Sequence, residues 1–309
     1  MRSASSAFVL ALAVLAGCGN LSNEDVAFVE AMPSRDQLHV TVPQSASQPL
    51  CGPGTFGDAE VWKSAKTSGA STNAGVDAIL SLVDAVRTAP PTTRDTDSRA
   101  WGPFPDDKHP GVIILVTMSR ELDPQGVPWR WLYSFGARRP PADYLPILEG
   151  EFYGAQARNG DGRLTLHFEN SIKLGMNNPG DPNAPARIFY DLSGDPRTIS
   201  LDLTDGTFGS LARYDYFYAG YADGHGQFDY SWNDPRTNCP ASASSRFTAR
   251  GAGKVILHVD CGVFFQGDVT QCFDSEACIT YVNDPFAITP ACGTTKPCLL
   301  GAATSCSAQ

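Results

Sequence analysis

Charge is scarce in this chain and one-sided: 18% of the 309 residues are Asp, Glu, Lys or Arg, with 23 basic residues against 33 acidic ones and a formal charge of −10. A fold of that sign repels phosphate backbones and anionic surfaces, which excludes nucleic acid as a partner of the folded part. Low charge combined with 42% hydrophobic residues also excludes a disordered tail, and the length allows a sizeable buried core. Long apolar runs are lacking too. The stretch Ala7 to Ala16 is too short to span a bilayer, and no other window reaches that length. The usual catalytic and metal signatures are missing: there is no G-x-S-x-G, no H-E-x-x-H, no Walker loop and no C-x-x-C. No residue is therefore assigned a catalytic or metal-ligating role, and no cofactor is expected.

What is present at the N-terminus is a targeting segment. Arg2 precedes the apolar run Ala7 to Ala16, which has the length of a signal-peptide h-region. The run closes on Leu15-Ala16-Gly17-Cys18, and this tetrapeptide resembles the lipobox of bacterial lipoproteins at every position. The resemblance covers about 20 residues and implies a signal peptide at 1–17, diacylglycerol on the Cys18 thiol, cleavage after Gly17 and a lipidated tether at 18–22. Acyl chains contribute about 0.8 kcal/mol per buried methylene, so two or three of them anchor a protein stably. In that family an Asp directly after the lipidated Cys favours inner-membrane retention in many Gram-negative bacteria. Here Gly19 and Asn20 follow, which implies outer rather than inner membrane.

The cysteines agree with export. Setting Cys18 aside leaves eight, Cys51, Cys239, Cys261, Cys272, Cys278, Cys292, Cys298 and Cys306, an even number suited to structural disulfides in an oxidising compartment. Seven of these lie beyond residue 238, so Cys51 must reach across the chain for its partner.

Periodicity divides the remainder. Residues 23–110 read as a helical and Pro-rich segment that packs on a sheet, and 111–309 as an antiparallel β domain with a Cys-rich end. Val26, Phe28, Val29 and Met32 suit one face of a short helix ending before Pro33, and Leu38 to Val42 suits a short strand. Thr72 or Asn73 can cap a helix on which Val76, Ile79, Leu80, Val83 and Val86 recur, stopped by Pro90-Pro91. Thr88 to Pro110 reads as a long loop pinned by Trp101 and Phe104. From Gly111 the period is two. Val112 to Val116 and Val127 to Phe135 are strands, followed by Leu148–Ala157, Leu164–Phe168, Ile188–Leu192, Ile199–Leu203, Tyr214–Tyr221, Phe228–Trp232, Phe247–Ala249 and Val255–Val259. The expected fold is mainly β (α+β), an antiparallel sandwich or strongly curved half-barrel with one or two N-terminal helices. The second outline resembles periplasmic lipoprotein and lipid carriers, through its strands and covering helix alone.

Gly160-Asp161-Gly162, Gly224-His225-Gly226 and Gly251-Ala252-Gly253 each precede an alternating strand and read as hairpin turns. A two-residue turn at Asp223-Gly224 would pair Ala219 with Phe228 and Phe217 with Tyr230, leaving Tyr216 and Tyr218 on the wetter face.

His39, His109, His167, His225 and His258 are the candidates for proton transfer near neutrality. His167 and His258 hold equivalent places in two repeats and would need adjacent strands to share a site. The acidic stretches Asn159–Gly162 and Gly180–Asn183 lack the carboxylates of a calcium loop and read as turns. The most informative feature is aromatic: Trp129, Trp131, Tyr133 and Phe135 on one strand, with Phe228, Tyr230 and Trp232 on another. These either fill the core or line a cavity for an apolar ligand, and core filling is the expectation. The functional expectation is a membrane-anchored extracytoplasmic lipoprotein with a non-enzymatic structural or binding role and an envelope protein as partner. A carrier of lipid or another apolar ligand is the alternative, and an extracytoplasmic hydrolase the third.

Overall fold

The structure is a computed structural model that describes residues 21–43, 51, 57–87, 89–154, 160–177, 183–203, 214–233, 239–262, 266–285 and 292–293. Its helices are α1 (Asn23–Ala31), α2 (Arg35–Leu38), α3 (Glu60–Arg87) and α4 (Phe168–Leu174). The strands are β1 (Thr93–Asp95), β2 (Ser98–Pro105), β3 (Ile113–Leu122), β4 (Pro128–Arg138), β5 (Leu145–Tyr153), β6 (Asp161–Leu166), β7 (Ala186–Asp191) and β8 (Arg197–Leu203). They continue with β9 (Tyr214–Gly220), β10 (Gly226–Asn233), β11 (Pro240–Phe247), β12 (Gly253–Asp260), β13 (Gln266–Phe273), β14 (Ile279–Asn283) and β15 (Cys292–Gly293). All of them join one antiparallel sheet in strict chain order, open at the β1 and β15 edges. The expected mainly β fold with N-terminal helices is therefore what forms, as a single open sheet. Among the described residues no helix is long and apolar enough to cross a membrane.

The helices cross the strands on one face. Trp62, near the start of α3, stacks on Phe273 of β13 (centroids 4.7 Å apart) and packs on Phe247 of β11 at 5.3 Å. At its other end Arg87 donates to the Met32 and Pro33 carbonyls just after α1. Phe28 of α1 meets Trp131 of β4 edge to face at 5.2 Å. A helix rising 1.5 Å per residue travels about 38 Å from Trp62 to Arg87. Nine strand spacings from β4 to β13 amount to roughly 43 Å, so the length of α3 matches the width that it covers. Trp62, Ala65, Val76, Leu80 and Val86 are buried there; the side chains of Ile79 and Val83 lie outside the described residues.

The chain before α3 crosses the sheet in the opposite direction. Arg197 of β8 donates to Thr41 Oγ1, the Tyr218 hydroxyl of β9 donates to the Thr41 carbonyl, and Asp58 forms a bridge with Cys278. Residues 39–43 are not a strand. Asn73 of α3 stands in for a strand neighbour, its side chain accepting from the Val40 amide at 2.7 Å and donating to the Val40 carbonyl at 2.9 Å. At Gly69 the helix runs alongside the same chain: a Cβ there would stand in ordinary van der Waals contact with Val42 and Val40, at 3.4 and 3.5 Å. α3 begins twelve residues before Thr72. Its first half is rich in Ser, Ala and Gly and has no apolar period to read, although Trp62 and Ala65 are buried there.

Several other boundaries move. The sheet begins at Thr93 rather than Gly111, because Thr88 to Pro110 holds β1 and β2 and buries Trp101 completely, while Phe104 is 43% exposed. Phe168 opens α4 instead of closing a strand. The strand around Phe247 is β11, where Ala243, Ser245 and Phe247 point inward. Small and polar inward residues hid that alternation; β13 and β14 also lie beyond the expected strands.

The β9–β10 hairpin corrects the expected register. Tyr221 N donates to His225 O, Gly224 N donates to Tyr221 O, and Gly224 has φ +85°, so the loop has three residues, Ala222-Asp223-Gly224. Phe228 then faces Tyr218, Tyr230 faces Tyr216, and Phe217 faces Asp229. A slip of one residue exchanges the faces: Tyr216 and Tyr218 are buried and Phe217 is exposed. The same loop closes β3–β4 (Asp123 to Val127), β11–β12 (Thr248 to Ala252) and β13–β14 (Asp274 to Cys278), with Ala277 taking the left-handed place in the last. Of the Gly-x-Gly repeats, only the first glycines at 224 and 251 are turn residues. Gly226 and Gly253 lie inside strands, where a Cβ would come within 2.7 Å of the Phe247 ring or 2.1 Å of the Arg246 carbonyl.

Candidate functional site

The aromatic stripe is packed. Trp131, Tyr133, Phe135, Phe228 and Tyr230 are buried in one continuous core cluster, and Trp232 packs partly buried against it. Burial pushes the Tyr133 phenol well above its ordinary pKa. Trp129 departs from the stripe: it sits at the start of β4 and is 45% exposed.

Each histidine bonds to a carboxylate. His39 meets Asp77 at 2.8 Å, His109 meets Asp106 at 2.7 Å, and His258 meets Asp268 at 2.6 Å. His167 lies between Glu149 at 2.8 Å and Glu169 at 3.0 Å, and His225 bonds to Asp223. His167 and His258 are not brought together, because β6 and β12 are far apart in the strand order. Among the described residues no group of His, Cys, Asp or Glu has the arrangement of a metal site. Asn159 and residues 180–182 lie outside the described residues.

Two clefts among the described residues lie at the sheet end that carries the β7–β8, β9–β10 and β11–β12 turns. One, of about 390 Å³, is lined by Thr41, Asp195, Arg197, Tyr218, Tyr221 and His225 among others. Its neighbour, about 530 Å³, includes His225, Thr248, Arg250 and Ser275. Tyr221 stacks on His225 at 3.8 Å. The His225 amide and then its ring hold the Asp223 carboxyl below the usual range. Two nearby hydroxyls have partners: Thr41 Oγ1 accepts from Arg197, and Thr248 Oγ1 donates to the Ala252 carbonyl. These clefts are open, with linings that mix polar and apolar groups, and neither is lined by the aromatic stripe.

A second constellation, absent from the sequence reading, fastens α1 to the first strands. Ser22 and Asp25 form a reciprocal capping box. Asp25 is fully buried and accepts from Arg99 at 2.7 Å and Arg94 at 3.1 Å; Arg99 is only 6% exposed. Burial alone would raise the Asp25 pKa, but the Ser22 amide and the Arg99 and Arg94 guanidiniums outweigh it and bring it down to about 2. Arg99 and Arg120 lie over the Phe28 ring at 4.6 and 5.3 Å, and Arg120 bonds Glu24 at 2.9 Å and Asp97 at 3.1 Å. The sequence signal for this cluster was the Ser22-x-x-Asp25 spacing alone; the arginines come from distant strands.

Two disulfides are defined. Cys51–Cys278 ties the segment before α3 to the start of β14, and Cys239–Cys261 joins the outer ends of β11 and β12. Cys272 is disulfide-bonded as well. Cys18, Cys298 and Cys306 lie outside the described residues, as does the side chain of Cys292. No protein-family model matches the chain, and neither a curated protein nor a solved structure matches it.

Proposed function

We propose that this protein is an envelope lipoprotein, held in the membrane by acyl chains on Cys18, whose folded domain has a structural or binding role. Outer-membrane residence follows from Gly19 and Asn20 under the sorting pattern of that family. The observation that carries the reading is the tetrapeptide Leu15-Ala16-Gly17-Cys18, which ends three residues before Leu21, the first of the described residues. Cys18 therefore has a short lead to a firmly docked first helix, as a tether requires. Disulfides across the sheet suit an oxidising compartment.

The packed aromatics weigh against an apolar carrier, and the open clefts around His225, of mixed lining with Asp195, Arg197 and Arg250 among their residues, suit a small ligand or a loop of an envelope protein better. A hydrolase reading gains no support from the histidines, whose bonds go to carboxylates rather than to a serine. The test is detergent-phase partition of the protein expressed with its own signal peptide in a bacterial host. The parent should enter the detergent phase and Cys18→Ser the aqueous phase; equal partition of the two would overturn the anchor. Native mass spectrometry of the Cys18→Ser protein should show no co-purifying lipid, and a stoichiometric lipid adduct would restore the carrier.

A further inference from the structure

In an up-and-down sheet alternate turns lie at the same end, so the β1–β2 turn and the β3–β4 hairpin are neighbours. Arg120 fixes the start of α1 there: it bonds Glu24 in the first turn of the helix and Asp97 in the β1–β2 turn. Cys18 to Leu21 spans at most about 11 Å of extended chain. Residues Leu122 and Trp129 lie only two positions beyond the Arg120–Trp131 pair, roughly 7 Å further along the strands. The tether thus leaves the domain beside the β3–β4 hairpin tip.

That tip is where exposed apolar side chains gather. Of the eight large hydrophobic residues that are exposed among the described residues, Leu122, Val127 and Trp129 flank this single loop, and Val26 lies in the first turn of α1. Phe104 and Ile172 belong to the opposite end of the sheet, and Phe189 and Phe217 to the middle of strands. The loop is held firmly: the Asp123 carboxylate accepts from the Gln125 and Val127 amides, and the Asp123 amide donates to the Val127 carbonyl. Its nearby basic groups are already paired, Arg120 with Glu24 and Asp97, Arg130 with Glu121 and Glu151. Such a surface offers apolar contact and an indole suited to the headgroup boundary, without cationic attraction.

We propose that the β3–β4 hairpin tip, through Leu122, Val127 and Trp129, is the face that the protein lays on the membrane holding its acyl chains. The proposal rests on lipidation of Cys18. Anchor and tip then act together, the short tether supplying a high effective concentration and the tip fixing the orientation. The clefts around His225 open at this same end, so the tilt set by the hairpin determines how closely they approach the bilayer.

The acylated full-length protein is reconstituted into phosphatidylethanolamine and phosphatidylglycerol vesicles, three to one, with bromine on part of the acyl chains, and tryptophan quenching is compared with Trp129→Phe. The exposed position of Trp129 makes that substitution safe for folding, and the buried Trp62 and Trp101 serve as an unquenched reference. The parent should be quenched, Trp129→Phe should lose more than half of that quenching, and added salt should leave both unchanged. Vesicle flotation is read in parallel. Flotation with no difference in quenching between the two proteins would overturn the docking surface while leaving the anchor intact. Failure of both proteins to float would overturn the anchor itself and the docking proposal with it.

Discussion

Replacing Asp25 with Asn should unlock α1 from the sheet. Asn keeps the size of the side chain and can still accept from the Ser22 amide, so the change removes the charge and little else. Arg99, 6% exposed, is left with a buried guanidinium and no counter-charge. Breaking a buried pair from one side costs about 3–5 kcal/mol. The half-exposed Arg94 adds less than about 1 kcal/mol. A total near 3–6 kcal/mol is a large share of the roughly 5–15 kcal/mol that stabilises a domain, and should lower Tm by about 5–10 °C for a chain of this size. The pH dependence carries the same information. The folded pKa of about 2 lies below the ordinary 3.8. The carboxylate's contribution is therefore fully present above about pH 4 and is lost as pH falls through about 2. Urea unfolding followed by circular dichroism should show a gap between parent and Asp25→Asn that narrows as pH is lowered from about 5 to about 2. A gap below about 1 kcal/mol at neutral pH, or one that stays constant in acid, would refute the reasoning. Arg99→Met, which keeps the stem against Phe28, should lose most of its cost in the Asp25→Asn background.

Three further substitutions probe the sheet and its staples. Removing the Cys51–Cys278 bridge by a double change to Ser frees a span of 227 residues and should cost about 3–5 kcal/mol in denaturant unfolding; an unchanged midpoint would contradict the fastening of the chain before α3. Gly253→Ala places a methyl 2.1 Å from the Arg246 carbonyl and should cost at least ~1–3 kcal/mol, whereas Gly126→Ala, with open space but φ +80°, should cost about 1 kcal/mol. The order of the two Tm values checks this. Tyr190→Phe should be neutral or stabilising by up to about 1 kcal/mol, because the Tyr190 hydroxyl is buried with no hydrogen-bond partner among the described residues; a clear loss of stability would mean that the hydroxyl is bonded.

How far the fold is legible in the sequence depends on what each strand turns inward. β3, β4, β10 and β12 carry large apolar residues at alternate positions, and their period is visible. β11 turns Ala243 and Ser245 inward, and the first half of α3 buries Ala65 and sets Gly69 beside the crossing chain, so neither has a period to read. Register at Asp223-Gly224 failed by one residue because a left-handed glycine serves both two- and three-residue loops. The reach of Cys51 across the chain was legible from parity and spacing. The Asp25 cluster was not: Arg94 and Arg99 stand 69 and 74 positions from Asp25, Arg120 stands 96 positions from Glu24, and they meet only when β1, β2 and β3 pair.

The most direct test of the anchored account is peptide mass spectrometry on the protein purified from envelopes. The account predicts an N-terminal peptide that begins at Cys18 and carries two or three acyl chains. A peptide beginning at an unmodified Cys18, or a retained segment 1–17, would contradict it.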